Sequence, residues 1–234
     1  MEETKNKDII DAMFKAGAHF GFSKSRRHAS VAPFIFGVKN RTEIINLEKT
    51  AEQLEKAVEF VSKLASEGKQ VLFVGGKNEA RHAVKNAALS VDMPIVAGRW
   101  VGGTMSNFGE IRKRIAKYED LLSQKEKGEL VKYTKKERLL IDRQIDNLEN
   151  LFAGLVSMKD LPKAMFVIDP RKESIAVAEA QKMGVPVIAL AGTDCNISKI
   201  EYPVIGNDTS VSSINFFASE IAKAYKKGKT PKKA

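Results

Sequence analysis

Short and nearly continuous apolar runs recur along the chain, and most of them are followed by a segment with helical periodicity. The runs are QVLFVGG, MPIVAG, AMFVIDP, VPVIAL and YPVIG, at 70–76, 93–98, 164–170, 185–190 and 202–206. A strand that is apolar at every position is typical of a sheet covered on both faces. Alternation of such strands with helices predicts an α/β fold, a parallel sheet flanked by helices.

Residues 109–157 interrupt this alternation with a different pattern. Apolar residues recur at helical spacing in its first part, and at steps of four and three in its second part; they are Ile111, Ile115, Tyr118 and Leu122, then Ile141, Ile145, Leu148, Phe152 and Leu155. A polar, glycine-containing stretch separates the two parts. This pattern predicts an inserted antiparallel α-helical coiled-coil hairpin. Two ordinary helices of a small second domain are the alternative.

The remaining sequence completes the domain organisation. Residues 1–108 and 158–225 form one discontinuous α/β domain, residues 109–157 the hairpin insertion, and residues 226–234 a basic tail expected to be disordered. Within the first part, 19–33 is expected to be an irregular basic connector, and the connector and the β-hairpin that follows it occupy 20–47 of the domain. The segment FIFGVKNRTEIINL alternates in polarity and turns near Asn40, which predicts a β-hairpin whose tip carries Lys39 and Arg41.

The net charge of +10 is concentrated in two places. Five bases and no acid lie between residues 20 and 42, and five lysines and no acid lie between residues 226 and 234. Charge localised in this way favours a polyanionic partner over a merely solubilising role. Aromatic residues interleave with the cations of the first stretch, which favours nucleic acid there. For the C-terminal lysines, solubility remains an equal alternative.

Motifs of catalytic, nucleotide or metal sites are absent from the sequence. Gly76-Lys77 follows a strand and precedes a helix, but Asn78 stands where a phosphate loop needs Ser or Thr, and the spacing glycine is missing. A weaker possibility remains, that this helix start and Lys77 hold a backbone phosphate. Cys195 and three histidines show no ligand spacing. We therefore expect no catalytic residue, no metal and no cofactor. Without a signal peptide or an apolar run of membrane-spanning length, the chain is expected to be cytoplasmic and to bind no membrane.

The segment GRWVGGTMSNF, residues 98–108, carries the one tryptophan of the chain. Arg99 can fork onto phosphate or stack on a base, and Trp100 can stack as well. The adjacent glycines allow close backbone approach. The alternative is that Trp100 and Phe108 fill the joint between the sheet and the hairpin.

Several segments together resemble one known family. They are AGAHFGFSKSRRHASVAPFIFGVKN, IINLEKT, VLFVGGK, GRWVGGTMSNF, LPKAMFVIDPRKESIAVAEAQKMGVPVIAL and YPVIGND, in this order. The chain resembles, from about residue 8 to residue 225, bacterial small-subunit ribosomal protein number two. The resemblance implies a flavodoxin-like parallel sheet and a non-catalytic role in translation. That role is to clamp small-subunit ribosomal RNA (rRNA) near the junction of head and body, among neighbouring ribosomal proteins, and to help dock ribosomal protein number one, which captures messenger RNA.

On this interpretation, the RNA-binding residues are ten cations of the connector, the hairpin tip, a helix start, the tryptophan segment and the start of the insertion, together with the tryptophan itself. They are Lys24, Arg26, Arg27, Lys39, Arg41, Lys77, Arg99, Trp100, Arg112, Lys113 and Arg114. The chain departs from the family pattern at Phe22, at 28–30 and at 194–198. Two other classes stay open: an enzyme that uses a phosphorylated ligand, and a free-standing RNA or DNA regulator.

Overall fold

The computed structural model describes residues 2–229, which form eight strands and seven α-helices. The strands are β1 (Phe20–Ser23), β2 (Ile35–Lys39), β3 (Thr42–Ile45), β4 (Val71–Val74), β5 (Ile95–Val96), β6 (Ala164–Ile168), β7 (Val187–Ala191) and β8 (Tyr202–Ile205). The helices are α1 (Glu2–Lys15), α2 (Leu47–Ser66), α3 (Asn78–Val91), α4 (Phe108–Glu126), α5 (Lys135–Phe152), α6 (Ser174–Lys182) and α7 (Val211–Lys229). No helix within these residues is both long and apolar enough to cross a bilayer.

The predicted parallel sheet is confirmed, and its strand order places its ligand-binding edge. Five strands pair in the order β5-β4-β6-β7-β8, and every pair is parallel. Counted along the chain from β4, this is the 2-1-3-4-5 order of flavodoxin-like sheets. In such sheets, ligands bind beyond the carboxyl ends of the strands where the strand order reverses. Here that position lies between the ends of β4 and β6.

Both faces of the sheet are covered, as the continuous apolar runs predicted. In β4, Val71 and Phe73 belong to one buried cluster, whereas Leu72 and Val74 belong to the other. Helices α2, α3 and α7 supply the first cluster. Helix α6 and the ends of α4 and α5 nearest the sheet supply the second. All four residues of β4 are fully buried, which explains why the run carries no polar residue.

The predicted β-hairpin is confirmed, but the basic connector before it is more ordered than expected. Strands β2 and β3 pair antiparallel around Asn40 and Arg41. Strand β1, which we expected to be irregular, pairs with the other edge of β3. Two 3-10 segments, Lys24–Arg26 and Ala29–Phe34, follow β1. A four-residue strand whose partner lies about twenty residues away leaves little trace in the local sequence pattern.

Helices α4 and α5 pack against each other in antiparallel directions. Near their far end, Lys125 Nζ lies 2.7 Å from Asp142 Oδ1. Near the sheet, the Arg112 guanidinium donates to the carbonyl of Met158, just after α5, at 3.4 Å. A capping box at Thr134 begins α5. Most apolar residues of the predicted seam are buried between the helices or against the sheet; they are Ile111, Ile115, Tyr118, Ile145, Leu148, Phe152 and Leu155.

Helix α7 corrects the expected start of the C-terminal tail. The helix runs to Lys229, so residues 226–229 continue it, and residues 230–234 lie outside the described residues. A Cβ atom at Gly228 would collide with the carbonyl oxygen of Ser62 in α2. The contact between α2 and α7 therefore extends beyond Tyr225, and this packing outweighs the repulsion of neighbouring lysines.

Candidate nucleic-acid interface

Two bases of the connector lie at the surface on a support of aromatic and backbone contacts. Lys24 and Arg26 are exposed in the 3-10 segment after β1. The Arg26 guanidinium carbon lies 4.5 Å from the centroid of the Phe22 ring, a cation–π contact. The Phe22 amide donates to Thr193 Oγ1 at 2.9 Å, and the His28 amide donates to the Thr193 carbonyl at 2.9 Å. The connector is thereby tied to the turn after β7.

Arg27 differs from Arg26 because its guanidinium is bound to a buried carboxylate of the chain itself. Its Nη1 donates to Glu43 Oε1 at 3.1 Å, and the Glu43 side chain in β3 is fully buried. The other carboxylate oxygen of Glu43 has no hydrogen-bond partner among residues 2–229. A buried carboxylate needs a nearby positive charge, so the Arg27 guanidinium stabilises the small sheet from within.

The hairpin tip presents two more cations in an unusual backbone conformation. Lys39 ends β2 and Arg41 follows Asn40; all three are exposed. Asn40 and Arg41 have φ angles of +50° and +64°. Two successive residues in the left-handed region form a type I′ turn, whose second position favours glycine. Arginine at that position costs about 1 kcal/mol or more. Strain retained at an exposed tip is typical of a functional position.

Lys77 occupies the edge of the parallel sheet where flavodoxin-like folds hold ligands. Its Nζ lies 2.6 Å from Asp169 Oδ2, after β6, and 2.8 Å from Asp208 Oδ2, after β8. It also donates to the Asp208 carbonyl at 3.2 Å. Burial alone would lower the pKa of Lys77, but the two carboxylates raise it overall. Lys77 is therefore a half-buried cation whose ammonium group bridges three turns instead of extending into solvent.

The carboxylates around Lys77 are crowded, and one of them holds its proton more tightly than usual. Burial, together with repulsion from Asp169 and Asp194, outweighs the attraction of Lys77 and raises the pKa of Asp208 to about 6. The thiol of Cys195 donates to Asp169 Oδ1 at 3.7 Å. Burial first, and then the adjacent carboxylates, raise the pKa of Cys195, so the thiol is a poor nucleophile.

The same cluster has the donor set of a metal site. Among the described residues, Asp169, Cys195 and Asp208 bring possible ligand atoms within 4.8 Å of one another. Lys77 Nζ bonds to both carboxylates, so the positive charge that a metal would contribute is already supplied by the chain. The thiol, which must lose its proton to bind a metal, holds it more tightly than usual. These residues therefore do not favour a metal at this edge.

The tryptophan loop, residues 98–107, is folded around a carboxylate from α6. Trp100 is buried, and its indole Nε1 donates to Glu179 Oε1 at 3.3 Å. Backbone amides of the loop also converge on this carboxylate: Gly103 on Oε1 at 2.7 Å, then Met105 and Ser106 on Oε2 at 3.0 and 3.2 Å. The packing alternative for Trp100 is thus the observed one, whereas Arg99 is exposed.

The hydrogen bonds outweigh burial in setting the ionisation of this carboxylate. Burial would raise the pKa of Glu179, but the donors from Gly103, Met105, Ser106 and Trp100 lower it overall. The carboxylate is therefore charged at neutral pH.

The start of α4 carries the last predicted group of bases. Lys113 and Arg114 are exposed, and Arg112 is half-buried. Lys113 pairs with Glu110 at 2.6 Å on the surface, a contact that a polyanion could replace at little cost. Arg112 keeps further donors besides the one bound to Met158. Asn107 stands at the N-cap position of α4 without a side-chain cap bond.

Comparison with known proteins identifies the family. The family model described as ribosomal protein S2 matches residues 13–228. The chain belongs to the ribosomal protein S2 family. It is similar to the small ribosomal subunit protein uS2 of Coprothermobacter proteolyticus, at 40% identity over 94% of this chain and 82% of the relative. It is also similar to the uS2 protein of Sulfurimonas denitrificans, at 41% identity over 95% of this chain and 85% of the relative. The uS2 protein of Chloroflexus aggregans is 38% identical over 92% of this chain and 90% of the relative.

Membership of the ribosomal protein S2 family decides between the classes that the sequence left open. The resemblance inferred from the motifs is confirmed, and the chain is a structural ribosomal protein, not an enzyme. The geometry at the sheet edge agrees with this assignment, because Lys77, Asp169 and Asp208 occupy the place where a phosphorylated ligand would bind.

The structure sorts the predicted site residues into exposed and internal ones. Lys77 and Trp100 are internal, and Arg27 is committed to Glu43. Around the small sheet, the sheet-side bases are exposed; they are Lys24, Arg26, Lys39 and Arg41. Beside the helical hairpin, the hairpin-side bases are exposed or half-buried; they are Arg99, Arg112, Lys113 and Arg114.

Sequence analysis missed the acidic residues that hold these elements together. Glu43, Glu179 and Asp208 each organise residues far away along the chain. Glu43 and Glu179 do leave one signal, an acidic residue inside an otherwise apolar stretch, in TEII and AVAEA. Such a residue is buried only with a partner, so the pattern predicts an internal counterpart without naming it.

An aromatic patch lies on the small sheet and the end of α1. Phe36 is 78% exposed, and Phe14, Phe20 and Val38 are exposed as well. The His19 ring is stacked on Phe14, with ring centroids 4.4 Å apart, and lies tilted against Phe20, with centroids 4.0 Å apart. Burial lowers the pKa of His19, which favours the neutral imidazole. The patch is therefore a mainly apolar surface on a strongly basic protein, with Glu48 at its margin.

Proposed function

We propose that this protein binds small-subunit rRNA at the junction of head and body, as a structural constituent of the small ribosomal subunit in the cytoplasm. The observation that carries the proposal is the distribution of exposed cations. Five bases and no acid lie between residues 20 and 42, and four of the five side chains are exposed. Cations arranged around a rigid sheet suit contact with several phosphates of folded RNA.

Eight of the eleven predicted residues are proposed as direct RNA contacts, and three as supports. Arg26 and Arg41 offer forked guanidinium groups, which suit phosphate oxygens. Arg27, Lys77 and Trp100 act indirectly, because their polar groups are bound to acidic residues of the chain itself. The proposed contacts are Lys24, Arg26, Lys39, Arg41, Arg99, Arg112, Lys113 and Arg114.

We infer that the helical hairpin is a short antiparallel coiled coil that extends the RNA footprint away from the sheet. Buried residues recur along α4 at steps of four and three, in Ile111, Ile115 and Tyr118. Along α5 they recur at steps of three and four, in Ile145, Leu148 and Phe152. This spacing supports heptad packing.

The aromatic patch supports the second part of the proposal, the docking of ribosomal protein number one among the neighbouring ribosomal proteins. Exposed Phe14 and Phe36 gain from burial against an apolar surface and gain little from a phosphate backbone. A patch that is rich in aromatic residues and poor in charge is typical of the centre of a protein interface. RNA and partner protein would then use adjacent regions of the small sheet.

Sucrose-gradient sedimentation at increasing salt tests the proposal. The protein is expected to migrate with small subunits and to leave them only at high salt, because each phosphate contact releases about one counterion. The double variant Arg26→Ala with Arg41→Ala should leave at lower salt. The double variant Lys56→Ala with Lys85→Ala is a matched control, since it removes two exposed lysines from α2 and α3, away from the proposed interface.

Each rival class has its own outcome in these experiments. A free pool at every salt concentration would overturn the proposal in favour of a regulator that acts outside the ribosome. Stabilisation of the purified protein by nucleotides or sugar phosphates at low salt would favour a ligand-binding role. Equal behaviour of the two double variants would show that the sheet-side bases do not contact RNA.

A further inference from the structure

The tryptophan loop has the geometry of an anion site whose anion comes from the chain itself. The amides of Gly103, Met105 and Ser106 point at one place, as in the backbone nests that bind phosphates. The φ angle of +91° at Gly103 lets the backbone turn its amides inward. Both carboxylate oxygens of Glu179 accept hydrogen bonds from this nest, and the Trp100 indole N–H is a fourth donor to the same carboxylate. An external phosphate is thereby excluded from the loop.

Glu179 is also the point through which hydrogen bonds tie this loop to the rest of the domain. Within residues 2–229, the other hydrogen bonds of the loop stay local, such as Asn107 amide to Gly103 carbonyl at 2.8 Å and Thr104 hydroxyl to Val101 carbonyl at 2.6 Å. The four bonds to Glu179 reach 73 to 79 residues along the chain.

The anchor itself is rigid. Glu179 lies on α6 between Ala176 and Ala180, which are fully buried against the sheet. Bonds between a carboxylate and N–H donors are among the stronger hydrogen bonds in proteins. The position of the loop backbone is therefore set by the position of α6.

The proposed RNA contacts begin on both sides of this anchored segment. Exposed Arg99 precedes Trp100 directly. On the other side, α4 begins at Phe108, directly after the loop, and carries Arg112 and its neighbours. A shift of the loop would move the Arg99 guanidinium and the direction in which the hairpin leaves the sheet.

We propose that Glu179 is a positioning residue for rRNA binding: its carboxylate fixes the tryptophan loop and so orients Arg99 and the start of α4 toward RNA. This inference rests on the proposed function. Glu179 does not contact RNA; a free carboxylate would repel it. The negative charge of the Glu179 carboxylate is stabilised at this position because four N–H donors of the loop surround it.

The test combines a double-mutant cycle with the fluorescence of the one tryptophan. Glu179→Gln, Arg99→Ala and the combined variant are compared with the unmodified protein for binding to deproteinised small-subunit rRNA at fixed salt. Arg99→Ala is expected to weaken binding about fivefold to tenfold, and Glu179→Gln at least as much. The combined variant is expected to bind no more weakly than Glu179→Gln alone, since Arg99 is already misplaced there. The emission of Trp100 should change in Glu179→Gln without RNA.

Glu173→Gln is the matched control. Glu173 is also a buried carboxylate beside α6 that accepts a backbone amide, from Gly76 at 3.2 Å, but within residues 2–229 it makes no hydrogen bond to the tryptophan loop. This variant is expected to leave RNA affinity and Trp100 emission unchanged, whatever its melting temperature. If circular dichroism shows that Glu179→Gln does not fold, Glu179→Asp replaces it in the cycle, because it keeps the charge and withdraws it from the loop.

The outcomes separate the two proposals. If the unmodified protein fails to bind rRNA, the proposed function is overturned. If it binds, and the folded Glu179 variant binds equally well or its effect adds fully to that of Arg99→Ala, the positioning role is overturned while RNA binding stands. If Arg99→Ala does not change RNA affinity, the positioning role is overturned as well, because the loop would then present no contact to RNA.

Discussion

Arg26 and Arg27 are adjacent in the sequence, but they are in different environments. Arg26 is exposed over the Phe22 ring, and Arg27 is paired with the fully buried Glu43. The same residue type is therefore free to contact a partner at one position and is used for stability at the next. We had expected both arginines to bind RNA, and only the structure distinguishes them.

The first prediction concerns this pair. Arg27→Ala should lower the free energy of unfolding by about 3 kcal/mol, because it leaves a buried carboxylate without its counter-charge. Arg26→Ala should change it by less than about 0.5 kcal/mol, as most surface substitutions do. In RNA binding the order reverses: Arg26→Ala should reduce the slope of log affinity against log salt by about one. Urea denaturation and salt-dependent filter binding measure the two effects.

Equal losses of stability in both variants would contradict the distinction. So would a loss of RNA affinity in Arg27→Ala, measured at a temperature where that variant is fully folded, that matches the loss in Arg26→Ala.

At the scale of single elements, the β2–β3 hairpin keeps a cation at a position that strains the backbone. Arg41 has a φ angle of +64°, where glycine is the favoured residue. Relief of this strain is worth about 1–2 kcal/mol. The extra freedom of glycine in the unfolded chain costs about 0.5–1 kcal/mol. The relief of backbone strain is the larger of the two effects, so glycine at this position should stabilise the folded protein.

The second prediction follows from this comparison. Arg41→Gly should raise the free energy of unfolding by about 0.5–1 kcal/mol while it weakens RNA binding, because it removes a charge from the tip. Lys39→Ala is the control, since it removes one tip charge from a residue with ordinary strand geometry; it should weaken RNA binding without raising stability. Thermal melts measure the change in stability, and RNA titrations measure the change in affinity. A destabilised Arg41→Gly would show that the Arg41 side chain has packing contacts that outweigh the strain.

The third prediction concerns the helical hairpin. Leu148 of α5 is 8% exposed and Leu140 of the same helix is 54% exposed. Leu148→Ala should lower the free energy of unfolding by about 2–4 kcal/mol, because it opens a cavity in the seam. Leu140→Ala should change it by less than about 0.5 kcal/mol. Chemical denaturation measures both, and similar losses would mean that the seam between α4 and α5 is not where the hairpin is stabilised.

How far the sequence predicted each element depends on how local its causes are. The strands of the parallel sheet and the two seam helices were predictable, because their apolar patterns lie within the elements themselves. The β2–β3 turn was predictable from alternation. Strand β1 was missed, since its pairing with β3 depends on a distant segment.

At the scale of the whole molecule, the candidate site was predictable as a set of cations but not as a geometry. Lys77 looked like a phosphate ligand because its partner Asp208 lies 131 residues away. Trp100 looked free to stack on a base because Glu179 lies 79 residues away. A single sequence shows that such groups exist, but which of them meet is fixed by the strand order and the packing of α6.

The fourth prediction is a dependence of stability on pH, centred on Asp208. Its pKa is raised to about 6 in the folded protein, chiefly by burial and by repulsion from Asp169 and Asp194 against the attraction of Lys77. The folded state therefore binds this proton more tightly than the unfolded state. The resulting stabilisation is complete below the ordinary pKa of 3.8 and is lost as pH rises through about 6.

Asp208→Asn isolates this contribution. The difference in unfolding free energy between the unmodified protein and the variant should fall as pH rises from about 4 to about 6, by an amount of the order of 2 kcal/mol. Denaturation curves at closely spaced pH values measure it. A constant difference across that range would contradict the assigned proton, and a rise would mean that Lys77 dominates the ionisation of Asp208.

The bridge that Lys77 makes between the turns after β4, β6 and β8 affects how this domain folds after synthesis. In many sheets with this strand order, a bound ligand lies at the carboxyl edge of the strands. Here the group that bridges the edge is the ammonium of Lys77, which is part of the chain itself. At this edge the chain itself therefore supplies the positive charge that holds the three turns together, so the folding of the edge should not depend on the concentration of any metabolite.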